Sequence, residues 1–260
     1  LMPLKQAIGD SRLVVLGDQS HGDGAVFLVK ARLVKFLHQE MGFDVLAWES
    51  GMFDCREVDR ALKDPDRSMD EISKLGIFPI WTYSAQVKPT LEYVRATLKT
   101  ERPIETCGFD HQFSGGIGPW PRTMLKYLDS AGPDVVPADL RSNLEAGLGF
   151  MSQKDVQQFQ ATLDLWKQIP PLMDANKDAL EKASSPDEFA FMRRTADDAI
   201  TSLVSMQEFL AGQQQMQVKL NNTRDLRMGE NLVWLVNEKY KSRKIIAWMA
   251  TFHAAHEIQQ

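Results

Sequence analysis

Cysteine is scarce in this chain, with only Cys55 and Cys107 among 260 residues. Two cysteines form at most one disulfide, and these two do not show the close paired spacing of a zinc site. A scaffold held together by disulfides and a cysteine-based metal site are therefore not expected. We expect both residues to be buried as small apolar side chains.

Long apolar runs and an excess of basic residues are also missing. The longest apolar run, around 245–250, is far shorter than the roughly 20 residues that cross a bilayer, so no membrane span is predicted. The formal net charge of −5 leaves no surplus of Lys and Arg for phosphates, so nucleic acid is not an expected partner. A cytoplasmic location is favoured, whereas a signal peptide before Leu1 would indicate a secreted or periplasmic one.

The familiar nucleophile and phosphate motifs do not occur either. The sequence contains no G-x-S-x-G elbow, no H-E-x-x-H and no P-loop. Ser20 directly precedes His21, but adjacent residues seldom point the same way. A water molecule activated by a histidine is therefore favoured over a Ser20 nucleophile.

The patterning that is present alternates short β-type runs with amphipathic stretches. It predicts an α/β fold with a mainly parallel sheet flanked by helices. Strands are predicted at 12–17, 44–48, 104–109 and 244–248, and helices at 26–40, 84–98 and 223–240.

The β signal disappears over 119–216, where Gln-, Lys-, Asp- and Leu-rich helical sequence replaces it. We interpret 119–216 as a large helical insertion that forms a cap. The first part of the α/β core is then 1–118, and 217–260 supplies its final helix and strand. A separate helical domain is the alternative, but the flanks of the segment lack a Gly/Ser-rich or Pro-rich linker.

Acids and histidines follow the predicted strands. Ligands of open parallel sheets bind beyond the carboxyl ends of the strands, so these side chains are expected to meet at one edge. Four of the five histidines follow a strand, and only His38 lies well inside a predicted helix. The residues concerned are Asp18, His21, Glu49, His111, His253 and His256.

His253 and His256 are three residues apart, so they share a face if Thr251 begins a short helix. This spacing suits two metal ligands, with His21 and Glu49 as further ligands, and it equally suits two groups that bind substrate and relay protons.

Three segments in order along the chain resemble the erythromycin esterase family. LGDQSHGDGAVFLVKARLVKFLHQEMGFDVLAWESG, at 16–51, is similar to the family's opening motif. That motif reads approximately glycine, glutamate, two variable residues, histidine and glycine, then a helix with basic residues and a strand ending in glutamate. RDLRMGENLVWL at 224–235 and IIAWMATFHAAH at 245–256 extend the resemblance over nearly the whole chain.

The resemblance implies a hydrolase that opens macrolide lactones in the resistance members of the family and works without a metal. His21 matches the general base, and Glu49 matches the carboxylate that orients that base or the water. His253 and His256 match the family's late histidine pair. The match of the second motif, at 224–235, implies that Arg224 faces the site.

Two positions depart from the family pattern. Asp18 stands where the family usually has glutamate, which shortens the carboxylate by one methylene and puts its reach to His21 in question. Lys30 stands where the family often has arginine, which removes planar, bidentate recognition of a carboxylate. Both departures suggest a substrate other than the antibiotic.

The leading hypothesis is hydrolysis of an ester or lactone in a small, macrolide-like molecule, with no cofactor. The catalytic residues would be His21, Glu49 and Asp18, with Glu49 fixing the tautomer of His21. The substrate-binding residues would be Lys30, His253, His256, His111 and Arg224; His253, His256 or Lys30 would stabilise the oxyanion.

Two alternatives stay open. One is a metal-dependent hydrolase or transferase that binds a divalent ion with His21, Glu49, His253 and His256. The other is a non-catalytic protein that binds a glycoside or polysaccharide, which the departures at Asp18 and Lys30 make credible. The oligomeric state does not follow from the sequence.

Overall fold

A parallel four-stranded sheet organises the N-terminal half and the C-terminal end of the chain. The computed structural model describes residues 1–116, 118–147, 156–210 and 216–254. The strands are β1 (Leu13–Leu16), β2 (Val45–Gly51), β3 (Glu105–Asp110) and β4 (Ile245–Trp248). They lie in the order β1-β4-β2-β3, and each of these neighbouring pairs is parallel. The predicted α/β fold with a mainly parallel sheet is confirmed.

Strand β4 lies in the interior of the sheet. Trp248, at the end of β4, is level with Leu16 of β1 on one side and with Trp48 of β2 on the other. Every residue of β2 and β4 is buried, as the apolar runs 45–48 and 245–248 predict for interior strands. This order brings the segment after β4 between the carboxyl ends of β1 and β2.

Strand β2 is longer than predicted and contains a β-bulge. Trp48 pairs with Gly108 and Gly51 pairs with Asp110, so two residues of β2 lie opposite one residue of β3. A Cβ atom at Gly108 would overlap the backbone oxygen of Ser50, so the bulge requires glycine there. Glu49 and Ser50, predicted to follow the strand, therefore lie inside it.

The helices that accompany the sheet begin and end at recognisable signals. The side chain of Asp23 caps the first long helix by accepting from the backbone N–H groups of Ala25 and Val26, and Gly42 ends it in the left-handed conformation. The helices are α1 (Met2–Ile8), α2 (Gly24–Met41), α3 (Met52–Leu62), α4 (Met69–Gly76), α5 (Pro79–Thr82) and α6 (Lys88–Thr97).

Two sequence predictions need adjustment. The helix predicted over 84–98 is a 3₁₀ turn, Ala85–Val87, followed by α6. The helix predicted over 223–240 is the end of α13 (Met216–Trp234) followed by a π-helical turn, Leu235–Lys239.

The chain divides into two compact units. The first comprises 1–115 and 224–260 and holds the sheet; the second comprises 116–223. The core of the first unit includes Phe27, Trp48, Trp81 and Trp248, all with no exposed surface. Cys55 and Cys107 are free and buried, and burial raises the pKa of both thiols.

The second unit is helical wherever the structure assigns regular secondary structure to it. Its core includes Trp120 and Trp166, whose rings lie 4.7 Å apart, and Trp120 donates a hydrogen bond to Thr195. That it caps a substrate site stays a prediction. Its helices are α7 (Pro119–Asp129), α8 (Ala138–Ala146), α9 (Val156–Trp166), α10 (Ile169–Ala175), α11 (Lys177–Ala183), α12 (Pro186–Leu210) and the beginning of α13.

Over the described ranges, no helix is both long enough and apolar enough to span a bilayer.

Candidate functional site

The carboxyl edge of the sheet gathers most of the polar residues that the sequence singles out. Asp18 follows β1, Glu49 lies in the β2 bulge and Asp110 ends β3. After β4 the chain turns into a four-residue helix, α14 (Thr251–Ala254), that carries His253. All of these side chains belong to the first unit.

Asp18 is at the centre of the first cluster. Its carboxylate is buried, and Oδ2 accepts a hydrogen bond from Nδ1 of His21 at 3.1 Å. Oδ1 accepts from the ammonium group of Lys30. Asp18 thus reaches His21 although its side chain is one methylene shorter than the glutamate of the family motif.

Lys30 is buried, with 2% of its surface exposed. Its Nζ contacts Asp18 and the backbone oxygen of Met249, and lies 4.7 Å from the ring centre of Trp248 and 5.3 Å from that of Trp81. Burial lowers the pKa of Lys30, and the hydrogen bond to Asp18 opposes that shift. Lys30 therefore compensates the charge of Asp18 in this structure. Its ammonium group does not face solvent, so it is not placed to stabilise the oxyanion of a substrate, the role that the sequence predicts for it.

Arg224 is at the centre of the second cluster. Its Nε and Nη2 donate to Oδ2 of Asp110 at 2.8 and 2.5 Å, and Nη2 also donates to Oε1 of Glu49 at 2.9 Å. Burial alone would lower the pKa of this guanidinium, but Asp110 and Glu49 raise it above its ordinary value. Arg224 therefore stays charged between two buried carboxylates.

His253 joins this cluster from α14. Its Nδ1 lies 2.5 Å from Oδ1 of Asp225, and its Nε2 lies 3.0 Å from Nη1 of Arg224. Oε1 of Glu49 is 3.5 Å from the same Nε2. His253 is thus in contact with two consecutive residues of α13.

Three consecutive backbone groups after β4 connect the two clusters. A Cβ atom at Gly17 would lie 2.6 Å from Oγ1 of Thr251, so the end of β1 approaches this segment at a distance that only glycine allows. The contacts are Lys30 Nζ to Met249 O at 3.0 Å, Ala250 N to Glu49 Oε2 at 2.7 Å and Thr251 N to Asp18 O at 2.8 Å.

One sequence-based role is corrected by these contacts. The sequence assigns Glu49 to fixing the tautomer of His21, but the carboxylate bonded to Nδ1 of His21 is Asp18. Both oxygens of Glu49 are occupied elsewhere, by Arg224 and by the backbone of Ala250. The physical reason is the β2 bulge, which changes the direction of Glu49 relative to a regular strand.

The two other predicted site histidines are His111, which is buried, and His256, which is not among the described residues. His111 lies 3.6 Å from Asp110, is buried, and has a pKa lowered to about 4, mainly by that burial. It is therefore neutral near pH 7, and a substrate could reach it only after a rearrangement. His256 lies outside the described residues, so its predicted place beside His253 stays a prediction.

Two members of the clusters are not among the predicted site residues. Asp110 carries a usable signal, because it ends a strand next to Glu49 in the sheet. Asp225 carries none, since a charged residue within a helix ordinarily faces solvent. Only the approach of His253 from α14 brings its carboxylate into the site.

Within the described ranges, no group of three or more His, Cys, Asp and Glu side chains has a geometry suited to a metal ion. The alternative metal site also needs His256, which is not described. That hypothesis stays a prediction.

Taken together, the fold and the site define an α/β protein whose parallel sheet carries two histidine–carboxylate pairs at its carboxyl edge, the class of arrangement that hydrolases use to activate water. A family model described as Erythromycin esterase matches residues 38–258. The chain belongs to the erythromycin esterase family.

Two curated proteins illustrate the relationship. A putative hydrolase of Bacillus subtilis, YbfO, is 25% identical over 260 aligned residues that cover 96% of this chain and 58% of YbfO. An Escherichia coli protein named erythromycin esterase type II is 29% identical over 115 residues, which cover 44% of this chain and 27% of that protein.

Solved structures share the fold. A Bacillus cereus protein has a TM-score of 0.74 at 22% identity, and a succinoglycan biosynthesis protein has a TM-score of 0.64 at 20% identity. A mutant of the erythromycin esterase EreC in its open conformation has a TM-score of 0.66 at 17% identity. This chain covers 59%, 59% and 63% of those chains, and they cover 95%, 96% and 96% of it. It thus spans about three fifths of their length.

Proposed function

We propose that the chain carries the active site of a hydrolase that cleaves an ester or lactone by attack of water, with His21 as the general base. The observation that carries the proposal is the environment of the His21 ring. Nδ1 is bonded to the buried carboxylate of Asp18, the side chain is 39% exposed, and Nε2 has no hydrogen-bond partner among the described residues. An oriented imidazole with one nitrogen open to solvent suits proton abstraction from water.

Asp18 and Lys30 support this role of His21. A carboxylate only accepts hydrogen bonds, so Asp18 holds the proton of His21 on Nδ1 and leaves the lone pair on Nε2. Lys30 forms an ion pair with Asp18 and so compensates the charge of this carboxylate within a buried setting. In this proposal Lys30 acts through Asp18, and it does not touch the substrate.

Arg224 is proposed as the donor to the oxyanion. A guanidinium has five N–H groups. Four of them are used by the contacts with Asp110, Glu49 and His253. One N–H on Nη1 has no partner among the residues that the structure describes, and it is held in place by the other four. Preorganised donors of this kind stabilise the charge that develops on a carbonyl oxygen.

The proposed reaction has two steps. The water oxygen attacks the carbonyl carbon while Nε2 of His21 takes a proton from the water, and the negative charge forms on the carbonyl oxygen near Arg224. The carbon–oxygen bond to the leaving alcohol then breaks as His21 returns the proton to that alcohol oxygen. The products are a carboxylic acid, which ionises, and an alcohol. General-base catalysis of this kind supplies roughly 100- to 10,000-fold in rate.

Lactones of macrolide type are candidate substrates because one relative is named as an esterase of erythromycin. Its match covers less than half of this chain, so simpler neutral esters are included as candidates. Macrolide resistance as a biological role follows only if such a lactone is cleaved.

The decisive experiment compares two neighbouring substitutions. Hydrolysis of neutral aryl esters, alkyl esters and a macrolactone is followed for the unmodified chain, His21→Ala and Ser20→Ala. His21→Ala should lower kcat/KM by about 100-fold or more with a small fall in melting temperature, because the side chain is 39% exposed although its ring centre lies 4.5 Å from that of Trp81. Ser20→Ala should leave turnover within about twofold, since water and not the hydroxyl is the proposed nucleophile.

The outcomes separate the alternatives. Retained turnover in His21→Ala contradicts the proposed base, and loss of turnover in Ser20→Ala points to a serine nucleophile. Binding of a glycoside without turnover of any ester would instead favour the non-catalytic alternative.

A further inference from the structure

The second histidine of the site, His253, has partners on both ring nitrogens, and this fixes its protonation pattern. Asp225 faces Nδ1 at 2.5 Å and can only accept a hydrogen bond. Arg224 faces Nε2 at 3.0 Å and can only donate one. The pattern that satisfies both contacts is a neutral ring with its proton on Nδ1 and its lone pair on Nε2.

The position of Asp225 on its helix explains why two neighbouring residues reach one ring. Consecutive residues on a helix point in directions about 100° apart, because a turn takes about 3.6 residues. Arg224 and Asp225 therefore approach His253 from two sides, and neither could replace the other. The side chain of Asp225 is 34% exposed and that of Arg224 is 17% exposed, so Asp225 lies at the outer side of the ring.

The tautomer of His253 has a direct consequence for Arg224. With the proton on Nδ1, Nε2 accepts one N–H of Nη1 and leaves the other N–H of that nitrogen as the proposed oxyanion donor. With a proton on Nε2 instead, the Nε2–H of His253 would point at the N–H groups of Nη1, and two donors would face each other. The ring would then donate to Oε1 of Glu49, which lies 3.5 Å from Nε2. The guanidinium would then lose one of the contacts that orient it.

We propose that Asp225 is a positioning residue of the site: it selects the Nδ1–H tautomer of His253 and so keeps the Nη1 group of Arg224 aimed at the reacting carbonyl. This rests on the proposed function for its catalytic consequence, whereas the tautomer itself does not depend on turnover. Among the residues that the structure describes, the charged and titratable groups that face the ring are Asp225, Arg224 and Glu49.

The test reads the tautomer directly. Long-range ¹H–¹⁵N spectra of the full ¹⁵N-labelled chain, recorded at about pH 8, above the usual titration range of histidine, distinguish a protonated from an unprotonated ring nitrogen. His253→Gln assigns the signals. The unmodified chain should show protonated Nδ1 and unprotonated Nε2 for His253. Asp225→Asn should populate the Nε2–H form, because the Asn amide can donate to Nδ1.

Matched variants separate positioning from a general effect of charge. Glu230→Gln removes an equal charge from the same helix, at an exposed residue paired with Arg227, and should leave the His253 signals unchanged. Asp225→Glu restores an acceptor and should restore the Nδ1–H form. Asp225→Ala, which cannot bond to Nδ1 at all, should give a mixture of tautomers.

Kinetics then test the consequence for Arg224. Asp225→Asn should lower kcat by roughly ten- to a hundredfold with a smaller change in KM, since a misplaced donor weakens the transition state more than substrate binding. Asp225→Glu should recover part of that loss. An Nε2–H or doubly protonated His253 in the unmodified chain, or an unchanged tautomer in Asp225→Asn, overturns the proposal. An absence of turnover with the expected tautomers overturns the proposed function and leaves the tautomer assignment in place.

Discussion

His21 and His253 each have an aspartate within hydrogen-bond distance of Nδ1, yet their second ring nitrogens meet different surroundings. His21 is bonded to the buried Asp18 and is open to solvent at Nε2, whereas His253 is bonded to the half-buried Asp225 and accepts from Arg224 at Nε2. A histidine–aspartate pair can serve as a base only if the far nitrogen keeps a usable lone pair. One site therefore holds a proposed base, His21, and a proposed positioning group, His253.

The surroundings of His21–Asp18 and His253–Asp225 should differ most in their contribution to the free energy of unfolding. The ion pair of Asp18 with Lys30 should make the larger contribution. Lys30→Met should lower the free energy of unfolding by roughly 3–5 kcal/mol, because it leaves the buried Asp18 carboxylate without its cation. Urea unfolding at neutral pH measures the change. The double variant Asp18→Asn/Lys30→Met should recover much of the loss.

Removal of the charge of Asp225, in the other pair, should have little effect on stability. Asp225→Asn should change the free energy of unfolding by less than about 1 kcal/mol, since water and salt screen a partly exposed carboxylate. Equal losses at the two pairs would contradict the difference in environment between His21 and His253.

A third histidine, His111, is buried, and burial determines its response to pH. Burial lowers the pKa of His111 from 6.5 to about 4, so the folded state favours the neutral ring. Its contribution to stability is fully present above pH 6.5 and is lost as the pH falls from 6.5 through about 4. At about 1.4 kcal/mol per pKa unit the loss amounts to roughly 3 kcal/mol.

Unfolding measured across that range should therefore be less steep in pH for His111→Gln than for the unmodified chain. Ser20→Ala is the control, because an exposed serine carries no group that titrates in this range, and it should leave the slope unchanged. An identical slope in all three proteins would show that His111 is not held neutral by burial.

A smaller effect is expected at the bulge that directs Glu49. Gly108→Ala places a Cβ atom against the backbone oxygen of Ser50, so strand β2 must shift at a cost of about 1–3 kcal/mol. The shift should move Glu49 and lower turnover, but should not affect the hydrogen bond between Asp18 and His21.

Gly229→Ala is its control on helix α13. Beyond the neighbouring turns of its own helix, no described residue has a heavy atom within 4 Å of a Cβ atom built at Gly229. Alanine favours a helix by about 1 kcal/mol over glycine. This variant should therefore be slightly stabilised. If Gly108→Ala were equally harmless, the bulge would not be what fixes Glu49.

The sequence predicts the elements of the sheet better than the pairing of its side chains. Apolar runs locate the strands β1 to β4, because buried parallel strands require them. Because Asp18, His21 and His253 follow predicted strands, the sequence also predicts that they lie near one another at the carboxyl edge of the sheet. These features follow from patterns within short stretches of sequence.

The partners of the individual groups could not be predicted in the same way. The β2 bulge directs Glu49 to Arg224 rather than to His21. The sequence WESG at 48–51 has no feature that predicts an extra residue in that strand. Asp225 meets His253 only because β4 lies inside the sheet and leads into α14. Such contacts depend on tertiary register, which periodicity does not encode.

The proposed reaction requires the imidazole of His21 as its base. Chemical rescue tests this requirement directly, because it replaces the missing imidazole and nothing else. His21→Ala should regain ester hydrolysis on addition of imidazole, in proportion to the concentration of its unprotonated form, because the missing group is then supplied from solution. Ser20→Ala should not respond. A folded His21→Ala protein that binds substrate and gains no turnover over the same imidazole range, or that needs no rescue, would contradict the role of His21.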